Sequence, residues 1–340
     1  MHEPDVIPAQ GRRPTRTRWM AGGLMALASL AMALPGTRVH AQTWPQRPVH
    51  IVVPFAPGGA VDAIARAVGQ RLAEQLGQQV VIDNRPGASA NLGTEAVARA
   101  APDGYTLLMG ANGLATNVTL FPALSFDALR DFAPVARVGE APVVMVVPTG
   151  SALQSVDDLI AAARREPGRL TYGSAGNGSS NHLAGEMFKA AAGINLLHVP
   201  YKGGAPALTD LLGGRITVML HNTVEVLPQL RANRLRALAV SSPERIALLG
   251  TVPTMREAGL PGYQASVWWG LVAPAKTPRE VVARLNAETV KALDSPGLRT
   301  LLAEMGVVPR PGSSEDFGRF LRDEVERWGK VIRAAGIEAD

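Results

Sequence analysis

One pattern repeats along the chain from His50 onward and limits what it can fold into. A short β-branched run leads to a glycine-rich turn, and the turn leads to an amphipathic stretch. "HIVVPF" is followed by "APGGAVD", and then Val61, Ile64, Ala65, Val68, Leu72 and Leu76 fall at helical spacing. "QQVVIDN" is followed by "RPGASANLG" and a helix expected over about 91–101. "GYTLLMG" is followed by "ANGLATN", read as the turn after the strand. Strand, glycine-rich turn, helix, strand is the pattern of a parallel α/β sheet, because parallel neighbours need a crossover between them.

The pattern restarts after a longer strand, "APVVMVVPTGS" (141–151). "SVDDLIAAARREPG" is a helix with Ser155 as its N-cap and Asp157 and Asp158 in its first turn, where the helix dipole favours acids. "RLTYGSAG", "INLLHVPY", "RITVML" and "LRALAVSS" read as strands. "SSNHLAGEMFKAAAG", "GGAPALTDLLGG" and "NTVEVLPQLRANR" read as the helices between them. A second long strand, "YQASVWWGLVAP" (263–274), is followed by helices. Two long border strands imply that the second α/β unit is inserted in the first. The expected division is 42–142 with 268–340 as lobe 1 and 143–267 as lobe 2, joined by a two-strand hinge with a cleft between.

The first forty residues differ in kind. "GRRPTRTRW" carries four arginines and no acid, an apolar run follows over 20–36, and "VHA" ends it with small residues at the cleavage spacing. Basic flank, short apolar run and A-x-A-like end read as a secretory signal peptide over 1–41, cut near Ala41. A membrane anchor is the other reading, but the run is at the short limit for a span. The leader holds Arg12, Arg13, Arg16, Arg18 and Arg38 against Glu3 and Asp5, so the chain's net +5 falls to +2 after cleavage. That near-neutral balance gives no electrostatic footprint for nucleic acid. The chain has no cysteine, so it has neither a disulfide nor a lipid-bearing N-terminal cysteine, and a bacterial periplasm is the expected compartment.

Catalytic signatures are missing from the sequence. Ser179 has Asn177 and Asn181 where a nucleophile elbow needs glycine, and the same loop fails the dinucleotide fingerprint at Asn181. His182 and Glu186 share a helical i, i+4 spacing, which is too common to indicate a metal. Neither a metal nor a cofactor is expected. Two glycine-rich turns remain, "PGGAVD" and "SAGNGSSNH". Each delivers backbone N–H groups at a helix N-terminus, which suits an anion, and Ser174, Ser179 and Ser180 add hydroxyls. Facing one another across a cleft, they suit a small carboxylate. The plainer alternatives are that Gly58 and Gly59 only permit a tight turn and that Asp62 only caps its helix. His182 is expected to bond within lobe 2, Trp268 and Trp269 to pack in the core with a cleft wall as the other reading, and Lys202 either to be solvated or to approach the cleft.

These stretches also carry a family likeness. "WPQRPVHIVVPFAPGGAVD", "VVIDNRPGASANLG", "PDGYTLLMG", "LTYGSAGNGSSNHLAGEMF", "HVPYKGGAPALTDLLGG" and "LRALAVSSPER" resemble the Bug (Bordetella uptake gene), TctC-like family. These are periplasmic substrate-binding components of tripartite tricarboxylate transporters. The resemblance implies a type II periplasmic-binding-protein fold, an organic carboxylate ligand, no enzymatic activity, and a monomer that docks on integral-membrane permease subunits. Carried over by position, it implies ligand contacts from Phe55, Pro57, Gly58, Gly59 and Asp62 in the first loop. In the second it implies contacts from Ser174, Gly178, Ser179 and His182. Ala60 stands where the family commonly has serine or threonine, and His221 stands where an acid is frequent; both positions bear on which acid is bound. The alternatives are a ligand-loaded sensor subunit for a signalling receptor and, more distantly, a periplasmic hydrolase.

Overall fold

In the first strand, β1 (Val49–Val53), Ile51 and Val53 join one buried cluster while Val52 joins another on the opposite face. Period-2 alternation with apolar residues on both sides means the sheet is covered on both faces, as parallel sheets require. The computed structural model describes residues 44–339. The expected leader and its cleavage position lie outside these residues.

After β1 come α1 (Ala60–Leu76), β2 (Val80–Asn84), α2 (Asn91–Ala98), β3 (Thr106–Ala111) and α3 (Gly113–Leu120). A long strand, β4 (Phe132–Pro148), leads to α4 (Val156–Arg165), β5 (Thr171–Ser174), α5 (Ser180–Ala192) and β6 (Leu197–Pro200). Then come α6 (Gly204–Leu212), β7 (Val218–Asn222), α7 (Thr223–Arg231) and β8 (Leu235–Val240). The chain closes with β9 (Ser266–Pro274), α8 (Arg279–Asp294), α9 (Pro296–Glu304), β10 (Val308–Pro309) and α10 (Ser314–Ala335).

The strand order is β2-β1-β3-β9-β4-β7-β5-β6, with β8 and β10 also pairing with β4. β1, β2 and β3 are parallel, as are β5, β6 and β7. β4 joins the two sets. Over Phe132 to Pro142 it runs antiparallel to β9, and from Val143 onward it pairs with β7 and β8. Each side has cores of its own. Ile51, Met109 and Leu285 belong to one side, and Met145, Tyr172 and Phe188 to the other.

Two elements differ from the sequence expectation. β4 begins nine residues before the expected start at 141, and its first part was masked by Pro134, Gly139 and two register shifts against β9. Bulges break the alternation on which strand recognition depends. "ANGLATN" is helical: it holds α3, whose buried residues include Asn117 and Thr116 alongside Leu114 and Ala115. A helix buried nearly all round has no amphipathic stripe to detect. Elsewhere the local signals lie where the sequence put them. Ser155 and Asp158 form a capping box, as do Ser313 and Asp316. Among the described residues no helix is long and apolar enough to cross a membrane.

Candidate binding cleft

The glycine-rich turns bring helix N-termini to one place. Five of them line a cavity between the two sheet halves. α1 contributes Gly59, Ala60 and Val61, α3 contributes Asn112 and Gly113, and α5 contributes Ser179, Ser180 and Asn181. α6 contributes Gly204, and α7 contributes Asn222 and Glu225. Each N-terminus carries roughly half a positive charge on unpaired N–H groups. Phe55, Val267 and Trp269 supply apolar wall. Trp269 is fully buried, and its indole N–H has no acceptor among the described residues. The cavity measures about 40 Å³, room for a few waters and well short of the few hundred Å³ that ligand sites usually offer.

The halves touch directly around this cavity. Thr116 Oγ1 on α3 donates to the Gly178 carbonyl at 2.6 Å. Ala56 N donates to the Lys202 carbonyl at 3.1 Å. The Ala60 amide, at the start of α1, donates to Glu225 Oε1 of α7 at 2.7 Å. The cleft is therefore closed in this conformation.

The Glu225 side chain is buried, and both oxygens of its carboxylate are hydrogen-bonded. His221 Nε2 lies 3.0 Å from Oε2, and Asn222 Nδ2 lies 3.3 Å from Oε1. His221 Nδ1 faces amide donors, Asn181 Nδ2 at 2.7 Å and Asn222 Nδ2 at 3.3 Å. An amide nitrogen cannot accept, so Nδ1 accepts and the proton that Glu225 receives sits on Nε2. Burial alone would push the Glu225 carboxyl up. The adjacent His221, with the Ala60 amide and the Asn222 side chain, outweighs burial and holds it below the usual glutamate value. Gly204 has no side chain for a steric reason: a Cβ there would overlap both carboxylate oxygens.

The positions expected to bind ligand fall into two groups. Phe55, Gly59, Ala60 and Ser179 line the cavity. The others stand behind it. Asp62 Oδ2 accepts from the Gly58 amide at 3.0 Å and pairs with Arg66. Burial would raise the Asp62 carboxyl, but Arg66 and the Gly58 N–H hold it below its ordinary value. Pro57 belongs to the same turn, outside the lining. Ser174 Oγ lies 2.7 Å from His198 Nε2 and accepts from the Gly176 amide at 3.1 Å. His182 stacks on His198, with ring centroids 4.4 Å apart, and its Nδ1 accepts from the Gly178 amide at 3.2 Å. Gly178, at φ +75°, packs its Cα side against Asn117, where any Cβ would overlap the Asn117 Oδ1 atom. His221 is fully buried behind Glu225. Lys202 is exposed, and its carbonyl meets the cleft at the Ala56 amide.

The sequence missed Glu225 and Asn112 on the cavity wall and Asn117 against Gly178, and Trp269 belongs both to the core and to the cavity wall, the two readings its strand position offered. Trp268, its neighbour, faces the other side and donates to Glu324 at 3.0 Å. Asn222 does carry a local signal. It precedes an apolar stretch and caps α7 through the Glu225 amide at 3.2 Å. Among the described residues no cluster of three or more His, Asp or Glu could hold a metal ion.

A family model described as "Tripartite tricarboxylate transporter family receptor" matches residues 64–337. The chain belongs to the TctC family. Its members are receptors for solutes, not enzymes. A protein from the tcbD–tcbE intergenic region of Pseudomonas sp. strain P51 is 42% identical over 315 residues, 92% of this chain and 94% of that one. Protein BugT of Bordetella pertussis is 38% identical over 95% of this chain and 98% of its own length. An R. palustris protein solved with adipate superposes at a TM-score of 0.85, with 40% identity over 87% of this chain and 99% of that one. The protein MatC of Rhodopseudomonas palustris, solved with bound malate, gives a TM-score of 0.82 with 36% identity over 85% of this chain and all of that one. The two-lobed α/β architecture of these periplasmic binding proteins is the architecture of this chain.

Proposed function

We propose that this chain is a periplasmic solute-binding protein that captures a small organic carboxylate between its lobes and delivers it to the membrane subunits of a tripartite tricarboxylate-type permease. The observation that carries this is the convergence of five helix N-termini on one cavity. The dipoles and backbone N–H groups of helix N-termini stabilise an anion and need no cationic side chain. The adipate and malate bound by the two R. palustris relatives support a carboxylate. In our reading the protein is a monomer, exported by a signal peptide cut near Ala41, with lobes formed by 42–142 with 268–340 and by 143–267. Ligand contacts come from Phe55, Gly59, Ala60 and Ser179 directly. Pro57, Gly58, Asp62, Ser174, Gly178, His182 and His221 hold the two loops in shape.

A thermal-shift screen of the purified mature chain against a carboxylate library tests this. A true ligand at a hundred times its dissociation constant stabilises the fold by about 2.7 kcal/mol. It is recovered unchanged by mass spectrometry. A library without a single stabilising carboxylate, or a ligand returned chemically altered, contradicts the proposal.

A further inference from the structure

The first loop's anion seat is already taken by the protein itself. The Ala60 amide at the N-terminus of α1 bonds to a carboxylate, and that carboxylate belongs to Glu225 on the opposite lobe, 165 residues away. Three features show that the site is built around it. Gly204 leaves the space that both Glu225 oxygens fill. His221, on a frame of Asn181 and Asn222, aims its Nε2 proton at Oε2. Asn222 both caps α7 and donates to Oε1. No lysine, arginine or histidine lines the cavity, so Glu225 is the one charged side chain on its wall among the described residues. A ligand meets a fixed negative charge on one side. On the other it meets the N-terminus of α5, where Ser179, Ser180 and Asn181 line the wall.

We propose that Glu225 is a specificity-determining residue, an internal carboxylate that fills the first loop's anion seat so that the ligand presents one carboxylate, to α5, and a hydrogen-bond donor end to Glu225. The inference rests on the carboxylate-binding function proposed above. The ligand class is a monocarboxylate carrying an ammonium or amide at its far end, in place of a dicarboxylate. Oε2 has a single partner among the described residues, His221, which leaves a lone pair for such a donor. A second ligand carboxylate would either face Glu225 as a like charge in a water-poor cavity or have to expel it from three donors.

Matched ligands decide the matter. Succinate, glutarate, adipate and terephthalate are each titrated beside the monoamide of the same acid and the amino acid in which ammonium replaces one carboxylate. Calorimetry is run on the wild-type chain and on Glu225→Gln, with cooperative thermal unfolding as the check on folding. The wild type binds the monoamide or amino acid at least roughly tenfold more tightly than the diacid, a difference of about 1.4 kcal/mol. Glu225→Gln keeps the shape, loses the charge, and narrows or reverses that ratio. A wild type that prefers diacids overturns the inference and leaves carboxylate binding standing; so does a ratio unchanged in Glu225→Gln. If the variant does not fold, the wild-type preference alone decides. Binding of neither class by the wild type overturns carboxylate binding and this inference together.

Discussion

At the scale of single residues, the second loop depends on the absence of side chains more than on their presence. Gly178 combines a left-handed φ of +75° with a Cα that faces Asn117 of α3. Gly178→Val adds backbone strain of about 1–3 kcal/mol and a clash between lobes. The clash acts only when the cleft is closed. Ligand affinity therefore drops by roughly tenfold to a hundredfold or more, with the unliganded fold retained, as calorimetry and circular dichroism would record. Wild-type affinity in a folded Gly178→Val chain contradicts this. Ser179 works differently: its hydroxyl caps α5 by accepting from the His182 amide at 3.3 Å. Ser179→Ala lowers unfolding free energy by about 1 kcal/mol, the usual value of a lost N-cap. Urea denaturation measures it, and an unchanged midpoint counts against the cap. The serines and glycines of this loop stand out in the sequence because they cluster between a strand and a helix. Glu225 was not, because a glutamate in a helical run is ordinary and its partner at Ala60 is distant in sequence.

At the scale of elements, α1 and α7 are tied by one charged hydrogen bond that depends on pH. Glu225 is held below the ordinary glutamate value by His221, the Ala60 amide and Asn222. A carboxyl depressed in the folded state binds its proton more weakly there than in the unfolded chain. Its contribution to stability is present above the ordinary value and is lost as pH falls through the lowered one. Glu225→Gln lacks that titration while retaining His221. The melting-temperature advantage of wild type over Glu225→Gln therefore shrinks between pH 7 and pH 3. A gap independent of pH contradicts the charged tie. Elements with an amphipathic stripe or a capping signal, such as α1, α4 and α10, were readable in advance. α3 was not, since its "ANGLATN" start reads as a turn and its polar Thr116 and Asn117 are buried, both facing Gly178 of the other lobe instead of water. The same contact that hid the helix makes it part of the cleft.

At the scale of the whole molecule, the closed cleft and its small cavity imply motion. A cavity of about 40 Å³ cannot admit a dicarboxylate or an amino acid unless the lobes part. β4 passes from one sheet to the other, and the cleft is held shut by hydrogen bonds such as Thr116 to Gly178 and Ala60 to Glu225 and by an apolar cluster in which Leu183 packs with Leu120, Trp328 and Ile332. Contacts that ligand makes with both lobes favour closure. Small-angle scattering in solution therefore gives a smaller radius of gyration with saturating ligand than without, and identical radii would indicate a rigid pocket. The alternation of strand and helix announced the two α/β halves, but their convergence did not follow from any local pattern. Five helix ends meet because the strand order places the carboxyl ends of β1, β3, β5, β6 and β7 around one cleft. The central claim is that those helix ends hold a carboxylate. A crystal structure of the liganded chain tests it most directly: it should place a ligand carboxylate oxygen within about 3.2 Å of a backbone amide in the first turn of α5, whereas a ligand seated elsewhere, or held there only by side chains, would contradict it.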